Sequence, residues 1–476
     1  MHFFIAAILA VFSANLFANS EQDLPSLGDS TSGLISMEQE YKLGRTWLRK
    51  LRQNASSIND PLIKEYTENL IYRLATHSQV SDRRFEIIIL DNEQLNAFAV
   101  PGGIIGINAG LFLYAQTEAQ FASVVAHELA HLSQRHFARQ VDESRKQAPI
   151  ALASLLGSIL LLATNNTEAG FAGLVTSQAA ATQNSLSYSR DWEREADRIG
   201  LQTLVSAQID PRGMPQMFEQ MFAAHKYSQR PPEFLMTHPI TANRISDAAA
   251  RVDNLDVPVT APDFEYSLRR TALLIRYRPE SHSREYFEKV LKTSKTQSAQ
   301  QRARYALALI DLQKDQYASA HEFAINLVEQ DPHRISYQVL KAKTLFKLGQ
   351  QDEAINYTEE LLELNPDNHP LTMTYVELLS DKGEHHKAAI QLRSHSIQRN
   401  YDAYIWQKLG ELEAKAGNEV ATFQARAEYF FLTGRKKQAL SQLKQALDLS
   451  QDKYMLTAKI QQRAREIAGS ADNLQF

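Results

Sequence analysis

The chain has 476 residues, a net charge of −4 and no cysteine. Its length exceeds one ordinary core and implies two domains, and its mild acidity gives no footprint for nucleic acid. The lack of cysteine excludes a disulfide framework, a thiol nucleophile, a cysteine-ligated zinc and a lipid-modified cysteine near the start.

Residues 1–20, MHFFIAAILAVFSANLFANS, read as a secretory signal, with an apolar run from Phe3 to Phe12 that ends in small residues. A membrane span needs roughly 20 apolar residues. The run is shorter than that, and the competing readings are a buried first helix or an anchor. A cleaved signal places the mature chain in a bacterial periplasm. From Ser36 to about Thr76 apolar residues recur three and four apart, which predicts helix. FEIIIL, Phe85 to Leu90, reads as a strand. Pro101-Gly102-Gly103 is a turn, and the following IIGI is a second strand. The helical period returns from Thr117 to Gln140. The apolar run Ala148 to Ala163 contains two serines and a glycine, which favours a buried or cleft-lining helix over membrane contact. SLSYSRDWEREADRIGLQTLV is a further helix, and RPPEFLMTHPITANRI is a proline-marked loop that runs into one.

Residues 21–255 thus form a first domain, 256–265 a proline-bearing linker, and 266–476 a helical second domain. In the latter Asp315, Gly349, Gly383 and Gly417 recur every 34 residues, as do Ala320, Ala354 and Ala388. Asp331-Pro332 and Asn365-Pro366 keep the same interval. A glycine turn, an alanine five residues on and a late proline are the tetratricopeptide pattern, here in roughly four repeats. Gly434 follows Gly417 by 17 residues, half a repeat, so the array changes phase there.

The chemistry is concentrated in VVAHELAHLSQRH, Val124 to His136. His127 and His131 lie four apart on a helix, one turn apart on one face, which suits two ligands of one tetrahedral zinc. Glu128 beside them is placed to take a proton from a metal-activated water. A third histidine six residues after His131 would fall at Phe137, so the metzincin pattern is absent. His136 is taken as a surface or packing residue. In SRDWEREAD, Glu193 and Asp197 share a helical face, with Ala196 and Gly200 beside it for close packing. Glu193 is the expected third ligand. Asp197 would hold a ligand histidine or assist proton transfer. Glu195 points away and reads as a solvated charge. His238, in a proline-bounded loop, could stabilise an oxyanion, block the metal as a fourth ligand, or have no role.

NAFAVPGG, HELAH, SRDWEREAD and THPITANRI, in this order, resemble the HtpX and CAAX-prenyl-protease-like zinc metallopeptidases. The resemblance implies a mainly α fold: a gluzincin-type metallopeptidase domain with a small β-sheet, here followed by an α-helical tetratricopeptide-repeat solenoid. It implies His127, His131 and Glu193 as ligands of one Zn2+ per chain, with Glu128 as general base. It implies Asp197 as the accompanying acid and His238 as a loop residue near the metal that plugs the site. With a signal and repeats, it points to the periplasmic branch. The expected clients are unfolded or misassembled outer-membrane proteins, and the expected partner of the repeats is the β-barrel assembly machinery. No nucleic acid and at most peripheral membrane contact are expected.

The strand in GGIIGINAG is expected to pair with an extended client, and the repeats to offer a concave partner surface. Two other readings compete with a soluble endopeptidase. One is a repeat-based chaperone or scaffold with a structural zinc. The other is a membrane-embedded protease, should 148–163 span a bilayer.

Overall fold

The computed structural model describes residues 36–143, 189–227, 232–255 and 264–470, with Gly157 and Leu160. The expected signal 1–20, nearly all of the apolar run 148–163 and most of the linker 256–265 lie outside the described residues.

The first helical stretch divides in two. Helix α1 (Met37–Asn54) starts at a Ser36/Gln39 capping box. Helix α2 (Pro61–Thr76) starts at Asp60, whose carboxylate accepts from two amides, with Pro61 just inside. The sheet has three strands rather than the two expected: β1 (Glu86–Leu90), β2 (Ala97–Val100) and β3 (Ile104–Asn108). Their order is β1-β3-β2, with β3 parallel to β1 and antiparallel to β2. β3 therefore lies in the centre with both edges paired, and it cannot receive an added strand. β2, from NAFAV, is one edge strand and β1, bridged at Ser57–Leu90, the other.

Helices α3 (Ala109–Tyr114) and α4 (Glu118–Ser133) follow, α4 being capped by Thr117. The expected single helix to Gln140 is interrupted at Arg135, whose φ of 50° is left-handed, and α5 (His136–Glu143) leaves in a new direction. Helix α6 (Arg190–Ser206) packs on α4. A Cβ on Gly200 would lie 3.2 Å from the backbone of Ala126 and His127, so glycine sets how closely the two helices approach. Helices α7 (Gly213–Tyr227), α8 (Glu233–Thr237) and α9 (Ala242–Asp253) complete this part.

Helix α10 (Phe264–Tyr277) belongs to two cores, and the expected boundary at 266 falls inside it. Tyr266 is buried with Phe112 and Phe121 of the first part, while Leu268 packs with Tyr305 and Tyr337 of the repeats. The array continues as α11 (Arg284–Thr293), α12 (Gln297–Gln313), α13 (Tyr317–Gln330), α14 (Ile335–Lys347) and α15 (Gln351–Leu364). It ends with α16 (His369–Lys382), α17 (His385–Gln398), α18 (Ala403–Lys415), α19 (Glu419–Leu432), α20 (Lys436–Asp448) and α21 (Tyr454–Gly469). The periodic positions do the same local work each time. Gly349, Gly383 and Gly417 have φ of 89°, 92° and 78°, and Asp315 at the equivalent place has 57°. Ala320, Ala354 and Ala388 are fully buried between paired helices. The phase change is also explained. Gly417 separates α18 from α19, and left-handed Gly434 (φ 74°) separates α19 from α20, so α19 pairs with a neighbour on each side.

The array does not present all of its surface to a partner. Helix α16 packs on α2, and ionic contacts tie α2 to the turn between α17 and α18 as well. Lys64 pairs with Asp402, Glu68 with Arg399 (2.6 Å), and Glu65 accepts from the His369 amide (3.1 Å). Part of the expected partner surface is thus covered by the chain itself. Burial raises the Asp402 carboxyl, but Lys64 outweighs that and holds it well below the ordinary range. A depressed folded value means the contribution is full above the unfolded carboxylate pKa, about 3.9. It is lost as pH falls through the folded value. Asp402→Asn should therefore lower the melting temperature at pH 7 and flatten its dependence on pH below about 4. Thermal scans from pH 2 to 7 check this.

Candidate metal centre

The two helices that meet at Gly200 carry the site. α4 brings His127, Glu128 and His131; α6 brings Glu193 and Asp197; the turn after α8 brings His238. All but Asp197 are under 4% exposed. One donor atom from each of His127, His131, Glu193 and His238 falls within 4.8 Å of the others.

The separations identify the arrangement. His127 Nε2 lies 3.0 Å from His131 Nε2 and 3.3 Å from His238 Nδ1. Glu193 oxygens lie 3.5 Å from His127 Nε2, 3.4 Å from His131 Nε2 and 3.0 Å from His238 Nδ1. Four donors at about 2.0–2.1 Å from a tetrahedral ion stand about 3.3 Å from each other. The separations quoted lie near that value, and all four donors fall within 4.8 Å of one another, so they surround one point that suits a cation. The other His238 nitrogen, Nε2, lies 3.4 Å from Glu128 Oε1. Phe234 stacks on the His238 ring (4.7 Å, 27°) and keeps it in this position.

The supporting groups are specific. Asp197 Oδ1 is 3.0 Å from His127 Nδ1, one of the two roles open to it from sequence. Arg244 was not anticipated, although it lies in THPITANRI. Its guanidinium gives 2.7 Å contacts to both Asp197 oxygens and to Glu193 Oε2. Both Asp197 oxygens are thus engaged by Arg244. Of the surface and packing roles open to His136, the structure places it inside: it is fully buried and its Nδ1 lies 2.8 Å from His131 Nδ1. Glu195 is not a solvated charge. Its carboxylate meets His136 Nε2 at 3.0 Å and Arg139 at 2.9 Å. Helical extrapolation through Arg135 missed both contacts, and Ser133-Gln134-Arg135, a polar run without an apolar anchor, was the available signal.

Protonation follows from these contacts. Burial raises the Glu128 carboxyl above its ordinary value, although the Ala99 amide of β2 hydrogen-bonds to it. A more basic carboxylate is a better proton acceptor. Burial also opposes ionisation of Glu193, yet His238 and Arg244 hold its carboxyl well below the usual range. Burial pulls His127 down, but Asp197 and Glu193 outweigh that and lift it to about 9. Burial keeps His131 well below its ordinary value. A histidine binds a cation through a neutral ring nitrogen, so metal binding at this cluster is pH-dependent.

Arg244→Lys should test the support, because a point charge cannot span Asp197 and Glu193 as a planar fork does. The expected outcome is a loss of about tenfold or more in metal affinity with the fold retained. Chelator competition, with circular dichroism as control, measures both.

Comparison with known proteins agrees with this geometry. Residues 61–252 match Peptidase family M48, and 336–368 match the tetratricopeptide repeat. The β-barrel assembly-enhancing protease of Escherichia coli is 34% identical over 446 residues, covering 93% of this chain and 90% of its own. A putative β-barrel assembly-enhancing protease of Vibrio cholerae is 32% identical, covering 92% and 91%. The mitochondrial metalloendopeptidase OMA1 of Schizosaccharomyces pombe is 29% identical over 180 residues, covering 38% and 50%. The chain belongs to the β-barrel assembly-enhancing protease family, as a metalloendopeptidase whose peptidase domain is joined to a tetratricopeptide array.

Proposed function

We propose that this metalloendopeptidase uses one zinc ion per chain and acts in the periplasm on unfolded or misassembled outer-membrane β-barrel proteins. We further propose that His238 holds it closed at rest. The observation that carries the reading is the set of four converging buried donors with Glu128 beside it. Two neutral imidazole nitrogens, a third from His238 and a carboxylate suit zinc, which takes nitrogen and oxygen ligands tetrahedrally. When bound, zinc supplies Lewis acidity toward the scissile carbonyl.

The chain's own residues do the rest. His127, His131 and Glu193 hold the ion, and Asp197 and Arg244 orient them. His238 takes the fourth corner and lies against Glu128, so one displacement frees both the open position and the base. Glu128 then takes a proton from the attacking water and returns it to the leaving amine. A client would be held at β2 rather than β3. β2 has an outer edge of the sheet, and its Ala99 amide already points at Glu128. Backbone pairing there would select extended, unfolded segments with little demand on side chains.

The relatives' names support the substrate class, and the signal-like start supports the compartment. Among the described residues no helix is long and apolar enough to cross a membrane, which leaves the membrane-embedded reading without support in that part of the chain. The assembly machinery would meet the surfaces of the array that α2 does not cover.

One observation favours the chaperone reading. Four protein donors make a closed site, and closed sites are usually structural. Glu128 favours the protease reading, since a structural site has no use for a base. Purified mature protein should degrade an unfolded β-barrel precursor slowly, and His238→Ala should do so faster. Glu128→Gln should bind zinc equally and lose activity by at least about a hundredfold. Zinc retained in His238→Ala without any cleavage would make the site structural.

A further inference from the structure

The metal centre has a second layer on the His131 side that differs from the one on the His127 side. We infer that His136 and Glu195 act as positioning residues that fix the tautomer and ring plane of His131, through an imidazole-to-imidazole relay anchored on α6. The inference rests on the metallopeptidase reading, because it concerns how one proposed ligand is presented.

The proton positions follow from the geometry. His131 turns Nε2 toward His127 and Glu193, at 3.0 and 3.4 Å. That nitrogen must keep its lone pair free for a cation, so the proton of neutral His131 sits on Nδ1. His131 Nδ1 lies 2.8 Å from His136 Nδ1, and one of two facing imidazole nitrogens must donate while the other accepts. His131 donates, so His136 accepts on Nδ1 and carries its own proton on Nε2. That Nε2 lies 3.0 Å from Glu195 Oε2 and donates to it. Each ring thus has one permitted tautomer, and both remain neutral. A ligand histidine commonly passes its second N–H to a carboxylate or carbonyl. His127 turns its Nδ1 directly toward a carboxylate, 3.0 Å from Asp197 Oδ1. His131 reaches its carboxylate through a second ring.

The second ring is itself fixed. Its plane stacks on Trp192 with centroids 5.4 Å apart and 8° between planes. Arg139 holds the same Glu195 oxygen at 2.9 Å and lies over Trp192 at 5.2 Å. His136 and Arg139 are three apart on α5, and Trp192 and Glu195 are three apart on α6. The left-handed Arg135 turns α5 back so that these pairs face each other. Helix α6 therefore serves the centre with three acids: Glu193 directly, Asp197 behind His127, and Glu195 behind His131.

The test measures zinc affinity by chelator competition on the full-length mature protein, and records the visible spectrum of the cobalt-substituted protein. His136→Phe keeps a ring against Trp192 but can neither accept nor donate. It should weaken zinc binding about 10–100-fold and change the cobalt spectrum, with the metal-free melting temperature near wild type. His136→Gln offers an acceptor and a donor and should recover most of that loss. Should His136→Phe not fold, Glu195→Leu against Glu195→Gln makes the same comparison, since glutamine still accepts from His136. Affinity of folded His136→Phe within about twofold of wild type overturns the relay, as does an equal loss in Phe and Gln. Failure of the wild type itself to bind zinc overturns the zinc-site reading on which the inference rests, so the two failures are distinguishable.

Discussion

The structure depends on how closely α4 and α6 approach each other. Their contact has no side chain at Gly200, where a Cβ would press on the backbone beside His127. At that distance a carboxylate from one helix lies 3.4–3.5 Å from two imidazoles of the other. A wider crossing would leave three buried polar groups facing a gap, each at a cost of kilocalories. The crossing also decides which residues serve the ligands, because α6 brings Asp197 to His127 and Glu195 to His136 behind His131.

The closed site and the sheet belong to one arrangement. β2 lies against α4, and Phe234, which stacks on His238, is tied by its amide to the Leu95 carbonyl just before β2 (3.3 Å). The strand edge where an extended chain would pair and the segment that fills the fourth corner are therefore adjacent. Such proximity is what a gated site requires, with the fourth position surrendered where a client arrives. The repeat array is joined to the first part through α1, α2 and α10.

Much of the centre was legible in the sequence because it obeys helical arithmetic. His127 and His131, and likewise Glu193 and Asp197, lie four apart, and spacing alone places each pair on one face. Gly200 was legible as a packing position for the same reason. The array was legible because its turns need a left-handed residue every 34 positions, with Asp315 in glycine's place once. What escaped depends on tertiary structure. A left-handed turn at arginine has no dependable local mark, so the meeting of His136 and Glu195 was not foreseen. Arg244 sits nine-tenths buried on two carboxylates from another helix, a pairing that no local pattern announces. β2 is only four residues long and is defined by its partner, β3. The docking of the array on α2 rests on charges more than 300 residues apart.

The most direct test of the central claim is X-ray absorption at the zinc edge of the resting, full-length mature protein. The account predicts three imidazoles and one carboxylate at tetrahedral distances, with no solvent ligand. Replacing His238 by alanine should exchange one imidazole for a water oxygen. A resting site with two imidazoles and a water would contradict the account, because the fourth corner would then be open and His238 would not hold it.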